Sequence, residues 1–221
     1  YLDYCSMDAN GGNGASAVMR KRAVLSTFLK YMYSNGFLKN DIAAEIKHIR
    51  SARKKEPVIK RLSEAEVIKM LDSALNGSML SEKEKQYWAK TKCRDYAILS
   101  LFITYGLRVQ ELMRLNLSDF DLDKKEFILY RKRGEVTQLP LSEAAKAALE
   151  EYLEKERKVR EDTPEHDQDA LFLSLKGCRL SERQIREVSK KYTSMGMCSD
   201  RKEGFSPQKL RATVASALIE K

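Results

Sequence analysis

Residues 97–112 read AILSLFITYGLRVQEL, and the fold turns on how this stretch is understood. Its first seven residues, AILSLFI, are apolar at nearly every position, so they offer no wet face and predict a buried helix. Gly106 then supplies the backbone freedom that ends a helix and aims the next one. A second apolar helix leaves the glycine, and Arg108 stands at its start. A cation there faces the positive end of the helix macrodipole, which disfavours it by roughly 0.3–1 kcal/mol. Some anionic contact should offset that cost.

Working outward, the pattern stays mostly helical. Toward the C-terminus, EFILY and VTQLPL flank the basic turn RKRGE and predict a hairpin over Glu126–Leu141. Helix signals return over Ser142–Arg160, and LFLS at 171–174 reads as a short strand or extended segment. Ser181 and Gln184 form a capping box, and Ser206-Pro207 sets an N-cap with proline in the first helical position. Leu210, Val214, Ala217 and Leu218 make an apolar stripe behind it. Toward the N-terminus, Ser63 and Glu66 open another helix with a capping box. Before that comes SARKKEP at 51–57, polar, basic and closed by proline, which reads as a linker. The first segment holds a helix over 16–33, with Val18, Leu25, Phe28, Leu29 and Met32 at helical spacing, and a shorter one over Asp41–Arg50. The chain is thus expected to be mainly α with a small antiparallel β-sheet: a helical domain over 1–50, a basic linker over 51–60, and an α+β domain over 61–221.

Composition narrows the function classes. The longest apolar stretch, 97–107, is 11 residues long, short of the roughly 18 needed to cross a bilayer. No charged-then-apolar leader opens the chain, so nothing points to secretion, and Tyr1 in place of Met suggests missing N-terminal sequence. Cys5, Cys93, Cys178 and Cys198 are far apart, and only His48 and His166 could join them as ligands. No metal site is expected, and the cysteines read as free thiols in a reducing cytoplasm. The net charge of +9 is uneven: residues 1–60 hold 11 Lys/Arg against 5 Asp/Glu. Arg20, Lys21 and Arg22, with Arg53, Lys54 and Lys55 in the linker, suit a polyanionic partner, nucleic acid first among them.

Three places share one chemistry. Arg108 has Glu111 at i+3, a pair that can orient a guanidinium and leave donors free. Lys132 stands at the hairpin turn between Arg131 and Arg133, and Gln208 and Arg211 project from the first turns of the final helix beside Lys209. Converging on one phosphate, these groups would form an anion site. Each also has a plain reading: an ordinary intrahelical ion pair, a solvated basic turn, and an arginine snorkelling from an apolar stripe.

Their order and context carry a resemblance. From about Arg61 onward the chain resembles the catalytic domain of the tyrosine recombinase (phage integrase) family. The matching stretches are LSEAEV, RDYAILSLFITYGLRVQELMRLNLSDFD, YRKRGEVTQLPL, LFLS and SPQKLRAT, and residues 1–60 are similar in pattern to the family's core-binding helical domain. The resemblance implies a site-specific DNA recombinase without cofactor or metal, acting on double-stranded DNA as a tetramer on paired sites. It implies that Arg108 and Arg211 clamp the scissile phosphate, that Glu111 holds Arg108, and that Lys132 protonates the departing 5′-oxygen. Gln208 stands where the family usually has histidine; it can donate a hydrogen bond but not shuttle a proton. Arg131 and Arg133 replace the small residues that often flank the lysine. The family's nucleophilic tyrosine falls after the second arginine, and no tyrosine lies between Arg211 and Lys221. Residues 1–221 alone are therefore expected not to cleave DNA, being truncated before the nucleophile. The alternative is a non-catalytic DNA-binding protein on a decayed recombinase scaffold.

Overall fold

The computed structural model describes residues 1–6, 14–46, 60–131, 134–159, 161 and 163–219. The chain divides into two compact units, Tyr1–Val58 and Ile59–Lys221. In the first, α1 (Leu2–Ser6) and a 3₁₀ turn (Ile42–Glu45) pack on α2 (Ala15–Ser34). In the described part of the helix predicted over 41–50, residues 42–45 form that 3₁₀ turn instead: the Asp41 side chain accepts the Ala43 N–H at 3.0 Å, and Ile46 is already extended. Residues 47–50 and the linker stretch 51–59 lie outside the described residues. The stripe predicted for α2 is only partly covered. Val18 is buried, Leu25, Leu29 and Met32 are half-buried, and Phe28 is 55% exposed.

The second unit is built around α5 (Lys92–Tyr105), against which α3 (Glu64–Asn76), α7 (Glu143–Lys155), α8 (Glu182–Gly196) and α9 (Pro207–Ile219) pack. Ala97 through Leu99, Leu101 and Phe102 are wholly inaccessible, as an all-round apolar helix requires. The two predicted capping boxes form. Glu66 Oε2 accepts the Ser63 N–H at 2.7 Å, and Gln184 Oε1 accepts that of Ser181 at 3.0 Å. A third box, Ser81 with Glu84, opens α4 (Glu82–Trp88), which the apolar pattern did not reveal. At the close crossing of α3 and α8, a Cβ on Gly196 would collide with the Glu66 carbonyl oxygen, so only glycine fits.

The sheet is antiparallel in the order β1 (Phe120–Asp121), β2 (Glu126–Tyr130), β3 (Val136–Pro140). Its register sets Tyr130 opposite Val136 and Glu126 opposite Pro140. Phe127 and Leu129 face the core, and Phe127 stacks on Phe120. LFLS forms no ladder: Leu173 makes an isolated bridge with Arg179, and the Leu173 N–H donates to the Tyr152 hydroxyl at 3.0 Å. The helix predicted to Arg160 stops at Lys155, because Glu156 turns aside. Its carboxylate accepts the Cys93 and Arg94 N–H groups, both at 2.9 Å, and so caps α5 from across the fold.

Candidate functional site

Gly106 ends α5 with φ +56°, its N–H donating to the Phe102 carbonyl at 2.9 Å. This left-handed residue reverses the chain within two positions, so that Arg108 becomes the N-cap of α6 (Val109–Arg114). Glu111 resolves the conflict between Arg108 and the helix dipole. One carboxylate oxygen, Oε2, accepts the Arg108 backbone N–H at 2.7 Å, and the other lies 2.6 Å from Arg108 Nη1. The carboxylate is only 7% exposed while the guanidinium is 53% exposed, so the anion is held inside and the remaining arginine donors face water. The offsetting anion is thus already present in the chain.

Arg211 arrives from α9. Its Nη1 donates to the Gly106 carbonyl at 2.9 Å and lies 3.9 Å from Glu111 Oε2. Two guanidinium groups from separate elements therefore flank one carboxylate and leave a local excess of positive charge. α9 is itself tied back by Thr213, whose hydroxyl accepts the Leu62 N–H at 3.2 Å. Gln208 lies three residues before Arg211 on the same helix, exposed in its first turn. Lys209 is exposed and sits 4.9 Å from the Phe205 ring centroid.

The other expected residues are distributed differently. Arg131 is exposed, and its N–H donates to the Glu135 carbonyl at 2.7 Å across the hairpin. Lys132 and Arg133 lie outside the described residues, as do Arg53, Lys54, Lys55 and His48. In the first unit Arg20 is exposed, whereas Lys21 Nζ donates to Cys5 Sγ at 3.4 Å and Arg22 Nη2 to the Ile46 carbonyl at 3.0 Å. Those two cations spend donors on their own unit. The side chains of Ala217 and Leu218 are also outside the described set.

One contributor was invisible at the level of pattern. Arg179, in the loop before α8, donates to the carbonyls of Met113 (3.0 Å) and Leu115 (3.1 Å) and to Asn116 Oδ1 (2.7 Å). It therefore satisfies the orphan carbonyls at the end of α6, whose other end carries Arg108. Tyr192, the last tyrosine in the chain, is fully buried, and its hydroxyl donates to Asp95 Oδ2 at 3.2 Å. Burial, with the Asp95 carboxylate beside it, pushes its phenol above the ordinary tyrosine value, the opposite of what a nucleophile needs. Among the described residues no group of three or more His, Cys, Asp or Glu could hold a metal ion, and no helix is long and apolar enough to cross a membrane.

Residues 60–221 match the phage integrase family. The chain belongs to that family. Among its relatives, the tyrosine recombinase XerC of Thermodesulfovibrio yellowstonii is 33% identical over 211 residues, covering 94% of this chain and 64% of the relative. XerC of Corynebacterium glutamicum is 30% identical over 212 residues, covering 95% of this chain and 61% of the relative. This phage integrase family member thus spans somewhat over three-fifths of the length of those relatives. Among solved structures, the XerH site-specific recombinase bound to palindromic difH substrate superposes with a TM-score of 0.72 at 18% identity, covering 99% of this chain and 60% of that one. A lambda integrase dimer bound to a COC′ core site gives 0.61 at 19% identity, covering 91% and 66%. At such identities these two establish a shared fold, mainly helical with a small antiparallel sheet.

Proposed function

We propose that the complete protein is a site-specific DNA recombinase that breaks and rejoins double-stranded DNA through a 3′-phosphotyrosyl intermediate. The observation that carries this reading is the pairing of Arg108 and Arg211 around the single Glu111 carboxylate, with the outer donors of both guanidinium groups left to solvent. In this reading the two arginines grip the non-bridging oxygens of the scissile phosphate, where charge accumulates as phosphorus becomes five-coordinate. Glu111 orients Arg108, and Gln208 donates a further hydrogen bond. A tyrosine phenol loses its proton to water as its oxygen attacks phosphorus, the bond to the 5′-oxygen breaks, and the Lys132 ammonium gives that oxygen its proton. The phosphotyrosine conserves the energy of the phosphodiester, so the reverse attack by a 5′-hydroxyl needs no metal and no nucleotide cofactor. Since Tyr192 is spent in the core, the reading puts the nucleophile beyond Lys221.

Arg131, Arg133, Lys209 and the basic residues of the first unit, Arg20, Lys21, Arg22, Arg53, Lys54 and Lys55, supply phosphate contacts in this proposal. Such contacts position the protein on DNA without specifying its sequence. The working assembly is a tetramer on paired DNA sites in the cytoplasm. Gln208 favours one competitor, a DNA-binding protein that has lost cleavage. If proton transfer at that position matters, its loss costs on the order of 10²-fold.

The test uses the complete gene product and a nicked suicide duplex carrying the sequence it selects from a random pool. A covalent protein–DNA adduct that survives denaturant, and that disappears in R108A and R211A, is the expected result. Salt-sensitive binding without adduct would assign the non-catalytic reading. Binding of either kind should weaken with a slope of about −0.9 in log K against log salt per phosphate contacted; affinity indifferent to salt overturns both.

A further inference from the structure

Tyr105 immediately precedes the glycine that turns the chain toward Arg108. Its ring packs edge-on against Phe127 of β2, with centroids 5.0 Å apart. Its hydroxyl donates to the Pro140 carbonyl at 2.9 Å and accepts the Ser142 N–H at 2.7 Å. Pro140 ends β3 and Ser142 is the N-cap of α7, so one phenol ties the root of the hairpin to the end of α5. Proline has no N–H to give to the ladder, which leaves that root with one donor fewer than an ordinary strand end.

The four residues from 105 to 108 thus reach three different parts of the site. Tyr105 holds the hairpin root, the Gly106 carbonyl holds Arg211, and Arg108 holds Glu111. β2 and β3 are each five residues long, and Lys132, itself outside the described residues, stands between them in the sequence. At about 3.4 Å per residue the strands extend roughly 17 Å, so a tilt of about 5° at the root moves the tip by about 1.5 Å. Displacements of about 1 Å can cost on the order of 10²-fold in rate.

We propose that Tyr105 is a positioning residue that sets the angle of the β2–β3 hairpin and thereby delivers Lys132 to the 5′-oxygen of the phosphate held by Arg108 and Arg211. The inference rests on the reading of Lys132 as general acid. It separates two tasks: Tyr105 serves the proton delivered to the leaving group and leaves the phosphate grip alone.

A leaving group that needs no proton tests this. In a 5′-bridging phosphorothiolate substrate the P–S bond breaks and sulfur departs as a thiolate. Thiols ionise near about 8.5, whereas water, the nearest model for an alcohol, ionises near about 15.7. With the complete gene product, Y105F keeps the ring and loses only the hydroxyl. On the ordinary oxygen substrate Y105F should cleave slower by on the order of 10-fold, part of the 10²–10⁴ that a general acid contributes. Its DNA affinity should be unchanged, and on the sulfur substrate it should match the wild-type protein. Wild-type speed on oxygen, or equal slowing on both substrates, overturns the proposal. K132A is run alongside: if sulfur does not rescue it, the general-acid assignment itself fails, whereas rescue of K132A without rescue of Y105F sinks the role of Tyr105 alone. Should Y105F melt below the assay temperature, the same two-substrate comparison with Y105H, which keeps a ring and a donor, decides the matter.

Discussion

Glu111 performs three tasks with two oxygens. It caps the backbone of α6, neutralises part of Arg108 and attracts Arg211. The i,i+3 spacing of Arg108 and Glu111 was legible in the sequence; the presence of Arg211 on the same carboxylate was not, because it depends on how α9 returns to α5. The substitution E111Q separates these roles. Glutamine keeps an acceptor for the Arg108 N–H but removes the charge that orients both guanidinium groups. Because Arg108 is half-exposed and screened by solvent, the stability cost should stay within about 1 kcal/mol by urea unfolding. Adduct formation on the suicide substrate should fall by on the order of 10–10²-fold, while DNA affinity, measured by fluorescence anisotropy, does not weaken because the site has gained net positive charge. A parallel loss of affinity and rate would show that Glu111 serves folding alone.

At the scale of elements, the local stop and start signals were readable and the remote ones were not. Ser63–Glu66 and Ser181–Gln184 close rings within three residues, so sequence spacing alone predicts them. Ser81–Glu84 obeys the same rule but lacked an apolar stripe behind it to announce a helix. The N-terminus of α5 has no local cap; it borrows the Glu156 carboxylate from beyond the end of α7. Burial, reinforced by that carboxylate, pushes the Cys93 thiol up to about 12, so it stays protonated and unreactive in the folded protein. E156A leaves two helix N–H groups without their acceptor and should cost about 1–3 kcal/mol in urea unfolding. It should also speed alkylation of Cys93 under native conditions. E156Q, with one acceptor oxygen retained, should fall between. A Cys93 that reacts equally in E156A and wild type would show that the cap is not what closes this end of the helix.

At the scale of the whole chain, the two units differ in how much core they own. The buried apolar cluster runs from Leu62 to Leu210, all of it within the second unit. In the first unit the buried apolar residues among those described are Cys5, Val18 and Ala43, while Tyr4, Val24, Phe28, Tyr31 and Phe37 are exposed. A fragment spanning 60–221 should therefore unfold as a cooperative transition in calorimetry. A fragment spanning 1–58 should show only a broad, weakly cooperative change in circular dichroism, since so little apolar area is buried among its described residues to offset the conformational entropy of folding. A sharp transition from the small fragment would refute that account.

By itself the sequence determined the features whose hydrogen bonds and packing close over a few residues. These are the buried helix before Gly106, the hairpin around its basic turn, the two capping boxes, the proline start of α9, and the ordered motifs that resemble the recombinase family. Each is set by local sterics, side-chain period and hydrogen bonds a turn apart. Tertiary structure alone decided that Arg108 and Arg211 meet at Glu111, that Tyr192 is sealed in the core, that Arg179 and Glu156 cap helices far from them, and that Tyr105 grips the hairpin root. Such contacts join residues tens of positions apart, and their geometry follows from how the helices pack around α5.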